Sequence, residues 1–153
     1  MKEFRFVISK ETLDNLKIDS SGAKDFIDYY IERNKRVRHS LGKPGKEEFA
    51  LISGEPGMTF KRKIAISRQE AEILMKQAKI IVKKQGIGHI HVSGIEGYCE
   101  KVAAINAETE KIILEEVQIE FEQSQDKIKI LEREIKPSGV INKGLYDYIS
   151  ERA

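Results

Sequence analysis

Two histidines, His89 and His91, stand two residues apart in the stretch GIGHIHVSG at 86–94. In an extended strand side chains alternate, so both imidazoles project to one face while Ile90 and Val92 project to the other. Zinc, manganese and nickel all accept neutral imidazole, and two rings on one face could share such an ion. An ion there needs a third and usually a fourth ligand, for which Glu96, Glu100 and Asp126 are the acidic candidates. A second chemistry is carried by cations: Arg33, Lys35, Arg36 and Arg38 in RNKRVRHS, and Lys61 and Lys63 on one strand face in KRK. If the two groups are neighbours, they form a patch for the phosphates of nucleic acid or a nucleotide. No glycine-rich stretch has the spacing of a P-loop or a dinucleotide fingerprint. Ser53, Ser67 and Ser93 lack an elbow motif, and Cys99 lacks a helix start or fixed histidine that would lower its pKa.

The string HIHV resembles the metal-binding strand of the HUH family of single-strand endonucleases, over four residues. The resemblance implies a metal ion that polarises a DNA phosphodiester and a tyrosine that attacks it. Tyr146 or Tyr148 matches the order found in initiators and transposases, and Tyr29 or Tyr30 that of relaxases. The chain departs from the family in having no third histidine or acidic ligand at a recognisable position.

These groups must be positioned by a fold. A chain of 153 residues with 40% hydrophobic and 34% charged residues fits a single domain, 1–153, able to bury a core without disulfides or a structural metal. The single cysteine excludes an internal disulfide and a multi-thiolate zinc site. The first residues, MKEFRFVISKET, lack the apolar run of a secretory signal, and no stretch approaches a membrane span. A cytoplasmic location is the expectation. The net charge of +2 is uneven: residues 1–84 hold 19 Lys or Arg against 12 Asp or Glu, and the remainder 8 against 13. A basic first half suits an anionic partner, and it also suits attraction between two halves of one domain.

Alternation in KEFRFVIS predicts a first strand, and SKETLDNLK a short helical turn. The spacing of Phe26, Tyr30, Val37 and Leu41 predicts a long helix over DSSGAKDFIDYYIERNKRVRHSLGKPG. On that helix Arg33, Lys35, Arg36 and Arg38 spread around the exposed arc, with Glu32 and Arg36 as an i,i+4 pair. EEFALISG and MTFKRKIAIS read as strands flanking a GEPG turn. In SRQEAEILMKQAKIIVKKQG, Ser67 and Glu70 form a capping box and Gly86 a C-terminal stop, which predicts a second long helix. Ile73 and Ile80 fall opposite its core stripe and call for cover by a β-layer or a partner subunit. HIHVSG, YCEKVAAIN, EKIILEEVQIEFE and KIKILEREI read as strands, the last two as a hairpin pairing Glu122 with Lys127 and Phe121 with Ile128. KGLYDYISERA reads as a short terminal helix.

The expected fold is α+β: a mostly antiparallel sheet with two main helices packed on one side and a β-rich C-terminal half. The expected function is that of a non-enzymatic binding or accessory protein, homo-oligomeric and without a membrane partner, that acts on nucleic acid or another phosphate-bearing ligand through its basic N-terminal half. The alternatives are a metal-dependent nuclease centred on His89 and His91, and a protein-interaction or regulatory module. No cofactor is specified by the residues.

Overall fold

The computed structural model describes residues 2–42, 45–54 and 61–153. In chain order the elements are β1 (Lys2–Ile8), α1 (Lys10–Asp14), β2 (Asp25–Glu32), β3 (Lys35–Leu41), β4 (Glu48–Ser53) and β5 (Arg62–Ile66). They continue with α2 (Arg68–Met75), β6 (Ile80–Val92), β7 (Ile95–Asn106), β8 (Ile112–Gln123), α3 (Gln125–Ile135), β9 (Gly139–Ile141) and α4 (Leu145–Ser150). The nine strands make one antiparallel sheet in the order β5-β4-β3-β2-β6-β7-β8-β1-β9. No helix among the described residues is long and apolar enough to cross a membrane.

The sheet dominates, which corrects the expected α+β fold with two main helices. The stretch predicted as the first long helix is the hairpin β2–β3, turning at Arg33 and Asn34. Phe26, Ile27, Tyr29, Tyr30, Ile31 and Val37 are aromatic or β-branched, and such side chains fit a pleated surface better than a helix. Phe26 and Tyr30 are four apart, a spacing that both periods place on one face. The second predicted helix ends early, at Met75. Its capping box is present, with the Ser67 hydroxyl accepting from the Glu70 amide, but Ile80, Ile81 and Val82 form a β-branched run that opens β6. Gly86 accordingly lies inside a strand and caps nothing. Ile80 is buried as the first residue of β6, in the cluster with Tyr30 and Val82, and Ile73 stays exposed on α2.

The final expected strand is α3, so the Glu122–Lys127 and Phe121–Ile128 pairs do not form. KIKILEREI satisfies both periods, and the burial of Ile128, Leu131 and Ile135 is the helical one, while Ile130 remains exposed. β8 instead pairs with β7 and, across a long connection, with β1. The expected strands over KEFRFVIS, EEFALISG and YCEKVAAIN are present, as is the terminal helix. MTFKRKIAIS contributes β5, while its first three residues and most of the GEPG turn lie outside the described residues.

The two faces of the sheet differ. On the convex face, Phe4, Phe6 and Phe121 form an aromatic cluster with centroids 5.4 to 5.7 Å apart, sealed by Ile128, Leu131 and Ile135 of α3. Farther along that face, α2 covers Val37 and Phe49 through Ala71. Such side chains each contribute about 1.5 to 3 kcal/mol when fully buried. The opposite face is covered at one end by β9 and α4, where Ile141, Leu145, Tyr148 and Ile149 pack on Tyr30, Val82, Val102 and Leu114. Elsewhere that face is concave and polar.

Candidate anion-binding cleft

Register determines what meets on the concave face. In antiparallel ladders directly opposed residues share a face. Arg5 opposes Glu120, Glu120 opposes Tyr98, and Glu100 opposes Gln118. Lys84 opposes Phe26 on one side and Val102 on the other, and Asp28 opposes Arg38. The five buried polar or charged residues among those described, Arg5, Asp28, Lys84, Glu100 and Gln118, therefore all lie on this one face. Lys61, just before β5, is 3.1 Å from Glu3 on β1, so the sheet curls until strands near its two edges meet. Within the curl lies a cleft of about 300 Å³. Among the described residues, seven basic side chains line it, Arg5, Arg33, Arg36, Arg38, Lys61, Lys63 and Lys84, against the acidic Glu3, Glu100 and Glu120.

The cleft is electrically polarised. At one pole Asp28, fully buried, faces three cations: Arg38 at 2.8 Å, Lys84 at 2.8 Å and Arg36 at 3.3 Å. Burial opposes the charge of Asp28, yet Lys84, Arg36 and Arg38 outweigh it and hold its carboxyl far below the usual range. One carboxylate cannot neutralise three cations. The arginines are seated on aromatic rings, with the Arg38 guanidinium carbon 4.4 Å from the Phe26 centroid and that of Arg36 5.4 Å from Tyr30.

At the other pole the proportion reverses. Arg5 donates to Glu100 at 2.9 Å, to Gln118 at 3.1 Å, and to Glu120. Burial works against its charge, but Glu120, Glu100 and Glu3 raise its pKa above the ordinary arginine value. Burial also disfavours ionised Glu120, and Arg5 overcomes that to lower its pKa. Glu122 is pushed up, first by partial burial and then by Glu120 and Glu3. Oxygens of Glu3, Glu120 and Glu122 lie within 4.8 Å of one another, a hard donor set that could hold a divalent cation. A buried chain continues from Gln118 to Glu116 at 3.2 Å and to the Tyr148 hydroxyl, which donates to Glu116 at 2.9 Å. Burial and the Glu116 carboxylate push Tyr148 up to about 12.

Of the cations singled out in the sequence, Arg33, Arg36, Arg38, Lys61 and Lys63 line this cleft, and Lys35, on the opposite face of β3, does not. Their carboxylate partners come largely from the same basic half: Asp28 for Arg36 and Arg38, Glu3 for Lys61. Arg33 reaches a later element through Asp147 on α4, and the glutamates of β7 and β8 act electrostatically on Arg38 and Lys61. Glu100, expected as a ligand beside the histidines, pairs instead with Arg5. Arg5, Lys84, Asp28 and the glutamates of β8 were not anticipated as site residues. Their signal was alternation of charge within strands, as in Glu3-Phe4-Arg5 and in Glu116 to Glu122, which reads equally well as a solvated outer face.

His89 and His91 do share a face of β6, opposite Tyr98 and Glu96. His89 is 3.2 Å from Glu96 and meets the Tyr98 ring edge-on, with centroids 5.0 Å apart. Among the described residues, no set of three ligand atoms within 4.8 Å includes either histidine. Of the candidate nucleophiles, Tyr148 is engaged by Glu116, and the Tyr30 and Tyr146 rings pack together 5.4 Å apart. Compared with known proteins, the chain matches no family model and no curated sequence.

Proposed function

We propose that the concave cleft binds the phosphate groups of a small polyphosphate-bearing ligand, of the size of a nucleotide or a short polyphosphate. The observation that carries this is the pole at which Asp28 is, among the described residues, the one carboxylate within ion-pair distance of Arg36, Arg38 and Lys84, with Glu100 and Glu120 acting on Arg38 and Lys84 from farther off. An anion entering there completes the neutralisation and accepts charge-assisted hydrogen bonds from fixed guanidinium forks. Concavity favours a small ligand over a duplex, whose convex backbone is met by exposed cationic surfaces.

Isothermal titration with tripolyphosphate, ATP, orthophosphate and a DNA duplex tests this. Tripolyphosphate or ATP should bind more tightly than orthophosphate and the duplex. The double substitution Arg36→Gln and Arg38→Gln should weaken binding at least tenfold, since each charge-assisted bond is worth about 1.5 to 3 kcal/mol. Equal affinity for the duplex, or unchanged affinity in the double variant, would sink the proposal.

A second reading is favoured by one specific observation, the grouping of Glu3, Glu120 and Glu122 beside the cationic wall. A divalent cation on those oxygens would polarise a bound phosphate and support metal-assisted phosphoryl transfer in the same cleft. Release of orthophosphate from tripolyphosphate or ATP, dependent on added magnesium or manganese, is its test; binding without turnover leaves the first reading alone.

A further inference from the structure

We infer that Asp147 competes with the ligand's phosphate for Arg33 and thereby sets the affinity of the cleft, an inference that rests on the binding function proposed above. Arg33 sits in the β2–β3 turn and lines the cleft. Its Nε donates to Asp147 Oδ1 at 2.9 Å and Oδ2 at 3.1 Å, and its Nη2 donates to Oδ2 at 2.9 Å. A carboxylate and a phosphate present the same paired oxygens to a guanidinium fork, so the two cannot occupy that edge together.

The other cleft arginines differ in a way that isolates Arg33. Arg36 and Arg38 are tied to Asp28, which is wholly buried beneath them, and Arg5 to Glu100, also buried. Those counterions belong to the sheet and stay with it. The Arg33–Asp147 pair is more open, with side chains 59% and 27% exposed. An exposed pair of this kind contributes little to stability. Helix α4 is anchored separately by Leu145, Tyr148 and Ile149 in the core, so the pair can part while the helix stays. Leu145 and Tyr146 of the same helix, with Gly144 before it, line the cleft, and Asp147 is the next residue, outside that lining, so it is held at the rim at high effective concentration.

The experiment is a double-mutant cycle read by titration with tripolyphosphate, with thermal melts to establish that each variant folds. Asp147→Asn should tighten binding roughly two- to fivefold, the range that corresponds to an exposed ion pair. Arg33→Gln should weaken binding, and adding Asp147→Asn to it should change nothing further. Unchanged or weaker binding by Asp147→Asn overturns the inference. Equal tightening in the Arg33→Gln background does so as well, because it would show a general effect of charge. If the wild-type protein fails to bind tripolyphosphate, this inference falls together with the proposed function. If binding is present and lost in the Arg36→Gln, Arg38→Gln variant while Asp147→Asn has no effect, only the competition is refuted.

Discussion

Replacing Asp28 by asparagine removes one negative charge, keeps the shape of the side chain, and leaves Arg36, Arg38 and Lys84 facing one another. All three lie within 3.3 Å of the carboxylate, which has no exposed surface. Breaking a buried ion pair by removing one partner costs about 3 to 5 kcal/mol, because the remaining charge is left uncompensated. At roughly 2 to 4 °C per kcal/mol for a chain of this length, the melting temperature should fall by about 6 to 20 °C. Differential scanning calorimetry at neutral pH and low salt measures this directly. Tripolyphosphate should recover more of the melting temperature in Asp28→Asn than in the wild type, since the variant has the larger surplus of positive charge to neutralise. A fall of under about 2 °C, less than about 1 kcal/mol by the same conversion, would refute the claim that Asp28 holds the cluster together.

Acid should expose the same group. The pKa of Asp28 is depressed in the folded state, so the unfolded chain binds the extra proton and stability rises with pH between the two values. Its contribution is complete well above the unfolded value of about 3.9 and is lost as pH falls below it. Melting temperature should therefore drop more steeply in the wild type than in Asp28→Asn below about pH 5, and parallel curves would contradict the assignment. Gly97→Ala tests the packing behind the cleft, because a Cβ there would stand 2.4 Å from Phe121 Cε1 on the convex face. Overpacking of this kind costs about 1 to 3 kcal/mol, to be read from urea denaturation; a neutral result would show that the aromatic cluster yields.

The strands at Lys2–Ile8, Glu48–Ser53, Ile95–Asn106 and Ile112–Gln123 were legible because one face of each alternates into a core. Two segments misled for a shared reason. In β2–β3, Phe26 and Tyr30 are compatible with both periods, and the deciding feature is the density of aromatic and β-branched residues. In α3, Ile128 and Ile130 mimic a strand, whereas Leu131 and Ile135 complete a helical stripe whose burial depends on the tertiary fold. The site suffered most from the first error. On a helix Arg36 and Arg38 diverge, but on a strand residues i and i+2 point the same way, which is what delivers both to Asp28. Lys84, read as the end of a helix, reaches the same carboxylate only because β6 lies beside β2. Curling brings Lys61 to Glu3 across the sheet, a contact that no local pattern encodes.

The most direct test of the anion-binding cleft is a crystal structure of the protein with tripolyphosphate. The account predicts phosphate oxygens within hydrogen-bond distance of Arg36, Arg38 and Lys84, on the face that also carries Arg5 and Glu100. Tripolyphosphate seated on the convex face, or on the outer lysines with the concave cations still paired only to their carboxylates, would contradict it.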